Sequence, residues 1–345
     1  MTGKILMLRE PEVSTYTSYG CLFSMMDEDV WPWIFNNFIQ LRFAKDWGIL
    51  TFDSHQLLLK NCPGISFYDL PQDMIVQKWD HSLRNVITES IDLGYYLFIY
   101  VDRYYIAGTS SYQRQHFPQE LFIYGYDLER ETVYVADNSQ DNRFIAARCS
   151  FDELEQGYWE LEHTRGFVTE IRFLKRNVPS NSQINLEQIA VNLEYYLYSR
   201  KRPDQVEDQE FEYGIQAIER LLTELDAQES AAGELDARPY DLLYEHKWLL
   251  EQRVAYLMDN GFIFEDRPVQ RGMERLKGAY AALRDRVLEY NASRQTSLLQ
   301  SISEQLKHNL EEEKRCLTIL LHMVREGKAS VAKSRTSAAG ELARQ

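Results

Sequence analysis

Cysteine is scarce in this sequence, with only Cys21, Cys62, Cys149 and Cys316 among 345 residues and no CxxC pair. A disulfide framework and a cysteine-ligated metal site are therefore not expected. No apolar run approaches the ~20 residues that a membrane-spanning helix needs. The first residues carry charge too early for a signal peptide. We accordingly expect a cytoplasmic protein with no membrane segment and no metal.

Positive charge is also in deficit. Acidic residues outnumber basic ones by 53 to 38, which gives a net charge of −15. A chain this acidic is poorly suited to bind a phosphate backbone, so we expect no nucleic-acid partner. Gly-rich phosphate loops, HExxH and GxSxG motifs are missing from the sequence. We therefore expect no cofactor.

The composition of the chain changes near residue 176. Before that point, short runs rich in β-branched and aromatic residues predict strands. These runs cover 97–101, 104–106, 121–126, 133–135 and 167–173. The segment 127–131 predicts a hairpin turn, and Pro32 predicts the start of a helix over 32–41. The sequence thus predicts an α+β domain over 1–176.

After residue 176, apolar residues recur every three or four positions, which is typical of helices. We predict an all-helical domain over 177–326 and a flexible tail over 327–345. The heptad-like run over 298–324 has two interpretations, a homodimer seam formed by the C-terminal helices or a long helix packed within a bundle.

Cys21 is a candidate nucleophile. It follows Gly20 and opens an apolar segment that predicts a short helix. A thiol at a helix N-terminus lies near unpaired amides and the positive end of the helix dipole, which lower its pKa and favour the reactive thiolate. The alternative is an ordinary buried cysteine, a common occurrence in protein cores.

Two further residues suit a cysteine nucleophile. His116 lies just before the predicted strand 121–126, and Asp137 ends the predicted partner strand. Adjacent antiparallel strands lie ~4.8 Å apart, so an imidazole and a carboxylate at these positions can be neighbours. An acid that orients a histidine, which in turn serves a cysteine, is a known catalytic arrangement. The sequence therefore predicts Cys21, His116 and Asp137 as a catalytic set.

The order of these three residues resembles that of papain-like cysteine enzymes related to the bacteriocin-processing peptidases. Four segments add a more specific resemblance to the family of the butirosin biosynthesis acyltransferase; they cover 33–41, 100–105, 116–127 and 244–250. The resemblance implies a papain-like N-terminal domain followed by a helical domain. It also implies that the cysteine takes an acyl group from an acyl or peptidyl carrier protein and passes it to a small amine, forming an amide in antibiotic or other natural-product biosynthesis.

The sequence departs from the family pattern at Gln119. The family's catalytic histidine would stand there, six residues before Gly125, but glutamine cannot accept and return a proton at neutral pH. Irregular backbone near Pro118 would bring His116 into the site instead. If it does not, the base is missing and the domain is a non-catalytic binding or scaffold protein. A cysteine peptidase or thioesterase, with water in place of the amine, is a further alternative.

Substrate contacts are predicted at Gln119, Tyr104 and Trp33. Tyr104 lies beside the predicted site, and Trp33 belongs to an aromatic stripe that would line an acyl pocket. Ordinary core packing is the alternative explanation of that stripe.

Overall fold

The computed structural model describes residues 2–53, 55–140, 143–163, 169–177, 182–203, 210–228 and 233–342. It is a mixed α/β protein with a sheet in its N-terminal part and helices in its C-terminal part. The chain divides into two compact units. The sheet unit comprises Met1–Val30 and Gln56–Ser182, and the helical unit comprises Trp31–His55 and Gln183–Gln345. The predicted boundary at 176 differs from this division because Trp31–His55 groups with the C-terminal helices.

The described chain contains ten strands and eleven α-helices. The strands are β1 Gly3–Ile5, β2 Leu41–Ala44, β3 Ile49–Phe52, β4 Ile65–Leu70, β5 Tyr96–Asp102, β6 Pro118–Asp127, β7 Thr132–Gln140, β8 Arg143–Ser150, β9 Ile171–Arg176 and β10 Phe211–Tyr213. The helices are α1 Thr17–Met25, α2 Trp31–Asn37, α3 Leu58–Asn61, α4 Gln72–Trp79, α5 Leu83–Asp92, α6 Phe151–Trp159, α7 Leu186–Leu197, α8 Gly214–Gln228, α9 Arg238–Asp259, α10 Arg267–Ser293 and α11 Thr296–Leu342.

The sheet unit is built on one antiparallel sheet in the order β4-β9-β5-β6-β7-β8, with β1 added to β6. The predicted hairpin is confirmed, since β6 ends at Asp127 and β7 begins at Thr132. A register shift between Ile123 and Gly125 interrupts this hairpin. A Cβ at Gly125 would lie 2.8 Å from the Lys4 carbonyl oxygen, so glycine lets β1 approach β6 at this point.

The two faces of this sheet carry different side chains. Leu97, Ile99 and Val101 of β5 point into a hydrophobic core that also contains residues of α4, α5 and α6. Because strand residues alternate between faces, Tyr100 points to the opposite face. Helix α1 lies on that opposite face, where a Cβ at Gly20 would come within 2.3 Å of the Phe144 ring. Gly20 is therefore required for the close packing of α1 on β8.

Polar side chains of α9 hold the end of α2 within the helical unit. The last carbonyls of a helix have no partner inside the helix. The buried Arg253 guanidinium donates to the carbonyl oxygens of Phe35 and Phe38, each at 2.7 Å, and His246 Nε2 donates to that of Ile39 at 2.8 Å. These long-range bonds explain why the segment Trp31–His55 belongs with helices that follow it by some 200 residues.

Helices α7, α9, α10 and α11 share a buried ionic network centred on Lys247. Its ammonium donates to Glu313 Oε1 at 2.5 Å, to Tyr196 Oη at 3.2 Å and to His246 Nδ1 at 2.8 Å. Glu313 also accepts hydrogen bonds from Tyr196 and from Tyr280, at 2.5 and 2.6 Å. All three ammonium protons therefore have an acceptor, as a fully buried charge requires.

Helix α11 continues to Leu342, whereas the sequence predicted a flexible tail from residue 327. Residues 343–345 of that predicted tail lie outside the described residues. Among the described helices, none combines the length and the apolar character that crossing a membrane demands.

Candidate active site

His116 and Asp102 form a hydrogen-bonded pair in the sheet unit. His116 lies in the loop just before β6, and Asp102 ends β5, directly opposite Pro118 in the register. The distance from His116 Nδ1 to Asp102 Oδ2 is 2.6 Å. The Asp102 side chain is buried, but 65% of the His116 side chain is exposed. An imidazole oriented by a buried acid is therefore presented to solvent.

The Asp102 carboxylate is held in place by backbone amides as well. Its Oδ1 accepts hydrogen bonds from the Tyr104 and Phe117 N–H groups, at 3.0 and 2.9 Å. The bond to Tyr104 is an Asx-type turn, in which an aspartate side chain binds the amide two residues further on. The bond to Phe117 ties the start of β6 to the end of β5. Both bonds fix the carboxylate that faces His116.

These contacts determine the ionisation of Asp102. Burial by itself raises the pKa of the carboxyl group, but the hydrogen bonds from His116, Tyr104 and Phe117 outweigh burial and lower the pKa below its usual value of 3.8. Asp102 is therefore a carboxylate at neutral pH. Because a carboxylate only accepts, His116 Nδ1 donates the proton in this bond, and the ring nitrogen left for other partners is Nε2.

We expect Asp102 to titrate below pH 3.8, as measured by the ¹³C shift of its carboxyl carbon. The stability that its bonds contribute is present above that value and is lost as the pH falls through the lowered pKa. His116→Ala should raise the midpoint, since one stabilising donor is removed while the carboxyl stays buried. His308→Ala, a change at an exposed position of α11, is the control and should leave the midpoint unchanged. A wild-type midpoint at or above 3.8 would contradict the geometry.

The structure reverses the expected electrostatics of Cys21. Helix α1 begins at Thr17, so Cys21 lies in its second turn rather than at its N-terminus. The thiol is fully buried. Burial, together with the charges of Glu120 and Asp137, raises the pKa of this thiol well above its usual value. The thiolate that a nucleophile needs is disfavoured here.

Asp137 has a different partner from the one that the sequence predicted. Its Oδ2 accepts a hydrogen bond from Arg103 Nη2 at 2.8 Å, and both side chains are buried. Alternation along β7 puts Asp137 on the face of Val133 and Val135, which belong to the core beside α5 and α6. Cys21 is on α1, which packs on the other face. The structure thus joins His116 to Asp102 and Asp137 to Arg103, and the roles assigned to Cys21, His116 and Asp137 remain predictions.

The three predicted substrate contacts lie in different places. Tyr104 stacks on His116 with ring centroids 4.4 Å apart and planes inclined by 15°. Gln119 is half-buried on β6, opposite Val101. Trp33 belongs to the helical unit, where its ring packs edge-on against Phe38. Of the three, Tyr104 contacts a residue of the predicted catalytic set, His116.

The sequence predicted no side-chain partner for three residues of this region. Asp102 binds His116, Arg103 binds Asp137, and Glu120 accepts a hydrogen bond from Tyr100 at 3.0 Å. A signal for Asp102 existed, because an aspartate directly after an apolar strand and two residues before Tyr104 favours an Asx turn. No comparable local signal marked Arg103 or Glu120, since their partners lie 34 and 20 residues away.

Among the residues that the structure describes, no group of three or more His, Cys, Asp or Glu side chains is arranged to hold a metal ion. No protein-family model matches the chain, and no curated protein matches it. The resemblance to the butirosin acyltransferase family therefore stays a prediction from the residues.

Proposed function

We propose that this protein is a cytoplasmic acyltransferase of natural-product biosynthesis that forms an amide from a carrier-bound acyl thioester, with His116 as its general base. The observation that carries the proposal is the pair of an exposed imidazole and a buried carboxylate, His116 and Asp102, 2.6 Å apart. A general base needs a free ring nitrogen, a fixed tautomer and access to substrate, and this pair supplies all three. The family resemblance supports the choice of thioester and amine.

Proton transfer is the part of the reaction assigned to this pair. The amine nitrogen attacks the thioester carbonyl carbon, a C–N bond forms, and the C–S bond of the carrier breaks. His116 Nε2 takes the proton that the nitrogen loses and returns it to the departing thiolate. Asp102 stabilises the imidazolium that exists between these steps. Direct aminolysis needs no acyl-enzyme, so the buried Cys21 is not a nucleophile in this mechanism.

We also propose a papain-like identity for the sheet unit. Helix α1 carries Cys21, and β6 and β7 follow it in the chain and pair antiparallel. His116 lies two residues before the start of β6, and Asp137 lies on β7. This chain order is the one that the resemblance requires. In this proposal the domain keeps the papain-like framework, while the basic residue has moved from the position of Gln119 to His116.

The test uses the full chain, an acyl carrier protein loaded with a butyryl thioester, and a panel of primary amines. Amide formation is followed by mass spectrometry. His116→Ala should lower kcat by about a hundredfold or more, the usual range for removal of a general base. Asp102→Asn should lower kcat as well because the tautomer is no longer fixed. Cys21→Ala should leave the rate unchanged.

Two results would overturn the proposed mechanism. If Cys21→Ala abolishes amide formation and His116→Ala does not, the reaction proceeds through a thiol nucleophile. If His116→Ala forms amide as fast as wild type and as the control His308→Ala, His116 has no catalytic role. Circular dichroism of each variant excludes loss of folding as the cause of lost activity.

The second candidate function is a non-catalytic binding or scaffold protein. Two observations favour it: the Cys21 thiol is buried with a raised pKa, and Asp137 pairs with Arg103. In that case no thioester and amine pair yields product. The loaded carrier protein would still bind, with the same Kd for wild type and for His116→Ala in isothermal titration calorimetry.

A further inference from the structure

Tyr104 contacts the His116–Asp102 pair in two separate ways. Its backbone N–H donates to Asp102 Oδ1 at 3.0 Å. Its ring lies almost parallel to the imidazole, with centroids 4.4 Å apart and an interplanar angle of 15°. The first contact belongs to the backbone and survives any substitution except proline. The second depends on the side chain alone, so the two can be separated by mutation.

The His116 side chain has few other restraints. It is 65% exposed, and its one hydrogen bond among the described residues is the one to Asp102. A single hydrogen bond at Nδ1 fixes one atom of the ring but leaves the ring free to rotate about the bond axis. A flat surface against one face of the imidazole removes that freedom. The ring of Tyr104 is in the right place to do so.

Tyr105 contacts the same imidazole in a different geometry. Its ring is 6.1 Å from that of His116 and inclined by 61°, and it meets Tyr104 edge-on at 5.0 Å and 76°. An edge-on ring at this distance limits rotation of the imidazole less than a parallel ring in van der Waals contact. Tyr105 is thus a suitable control for Tyr104. It is the next residue in the chain and lies near the same histidine, but it lacks the stacking contact.

We propose that Tyr104 is a positioning residue, whose ring fixes the plane of the His116 imidazole so that Nε2 points at the reacting amine. This inference rests on the proposed function for its catalytic consequence. It changes the role predicted from the sequence, where Tyr104 was a substrate contact. The Tyr104 hydroxyl has no part in it, so phenylalanine should serve equally well.

The experiment compares Tyr104→Leu, Tyr104→Phe and the matched control Tyr105→Leu in the full chain. ¹³C relaxation of His116 Cδ2 and Cε1 reports how far the imidazole ring reorients, without any substrate. Wild type, Tyr104→Phe and Tyr105→Leu should show an ordered ring, whereas Tyr104→Leu should show larger ring motion. In the butyryl carrier assay, Tyr104→Leu should lower kcat roughly three- to tenfold, the range expected for loss of an aromatic pair, with KM unchanged.

Three results would overturn the inference. It fails if Tyr104→Leu keeps the ring order of wild type, if Tyr105→Leu lowers the ring order as much as Tyr104→Leu does, or if Tyr104→Phe loses as much kcat as Tyr104→Leu. The last would make the hydroxyl, and thus substrate contact, the role of Tyr104. If neither wild type nor any variant forms amide, the proposed function fails, while the ¹³C relaxation data still decide whether the Tyr104 ring positions His116.

Discussion

Replacing Lys247 with methionine should lower the free energy of unfolding by about 3–5 kcal/mol, the usual cost of removing one partner of a buried ion pair. Lys247 and Glu313 are both fully buried, with 2.5 Å between Nζ and Oε1. Methionine fills much of the same volume but leaves the Glu313 carboxylate without its cation. The hydroxyls of Tyr196 and Tyr280 still donate to it, yet neither carries a positive charge.

Two further variants separate the effect of the lost charge on stability from the effect of the changed side-chain volume. In Lys247→Met with Glu313→Gln, neither position carries a charge, so much of the lost stability should return. Lys277→Met is the matched control, since Lys277 pairs with Glu251 at 2.6 Å within the same unit but is partly exposed. Its loss should cost roughly 1 kcal/mol or less. Urea unfolding gives the free energies, and hydrogen exchange of α9 and α11 assigns the change to the helical unit.

The cost of Lys247→Met also reports the protonation state of the network. His246 Nε2 donates to the Ile39 carbonyl and Nδ1 accepts from Lys247, so the imidazole is neutral. Burial, with the neighbouring Lys247 and Arg253 charges, lowers the pKa of His246 well below its usual value, in agreement with that assignment. If Lys247→Met lowers the free energy of unfolding by less than about 1 kcal/mol, Lys247 and Glu313 do not form an ion pair.

Local features of the fold were predictable from the sequence, whereas long-range polar contacts were not. The β6–β7 hairpin was found because its strands and its turn lie within 23 consecutive residues, 118–140. The predicted strand over 104–106 was wrong, because Asp102 accepts from the Tyr104 amide and turns the chain into a short 3-10 helix at Arg103–Tyr105. The grouping of 31–55 with α9 depends on side chains such as Arg253, whose bonds span more than 200 residues.

Prediction of the candidate site from the sequence failed in the same way, at the long-range contacts. His116 lies just before β6, where the sequence placed it, but its partner was predicted on β7, and the structure gives it a partner at the end of β5. The alternation of side chains along β7 argued against Asp137 as the partner, because Asp137 shares a face of the strand with the apolar Val133 and Val135. The burial of Cys21 and the arrival of Arg103 beside Asp137 follow from tertiary packing, which no local pattern encodes.

The second large effect is expected at Arg103. Arg103→Met should lower the free energy of unfolding by about 3–5 kcal/mol, because a buried carboxylate loses the guanidinium that it faces. The two side chains are each about 5% exposed, and their atoms are 2.8 Å apart. Arg103→Lys should cost less than Arg103→Met, since it keeps the charge while losing the planar fork. Urea unfolding, with hydrogen exchange of the β7 amides, measures both.

A double-mutant cycle on this pair also decides what Asp137 does. If Asp137 is a structural partner of Arg103, Asp137→Asn should destabilise the sheet unit, and Arg103→Met with Asp137→Asn should lose less than the sum of the single changes. If Asp137 instead orients a catalytic base, Asp137→Asn should lower kcat while the unfolding free energy stays near that of wild type. A coupling free energy near zero would contradict the ion pair, and Asp137 would then return to the catalytic set with Cys21 and His116.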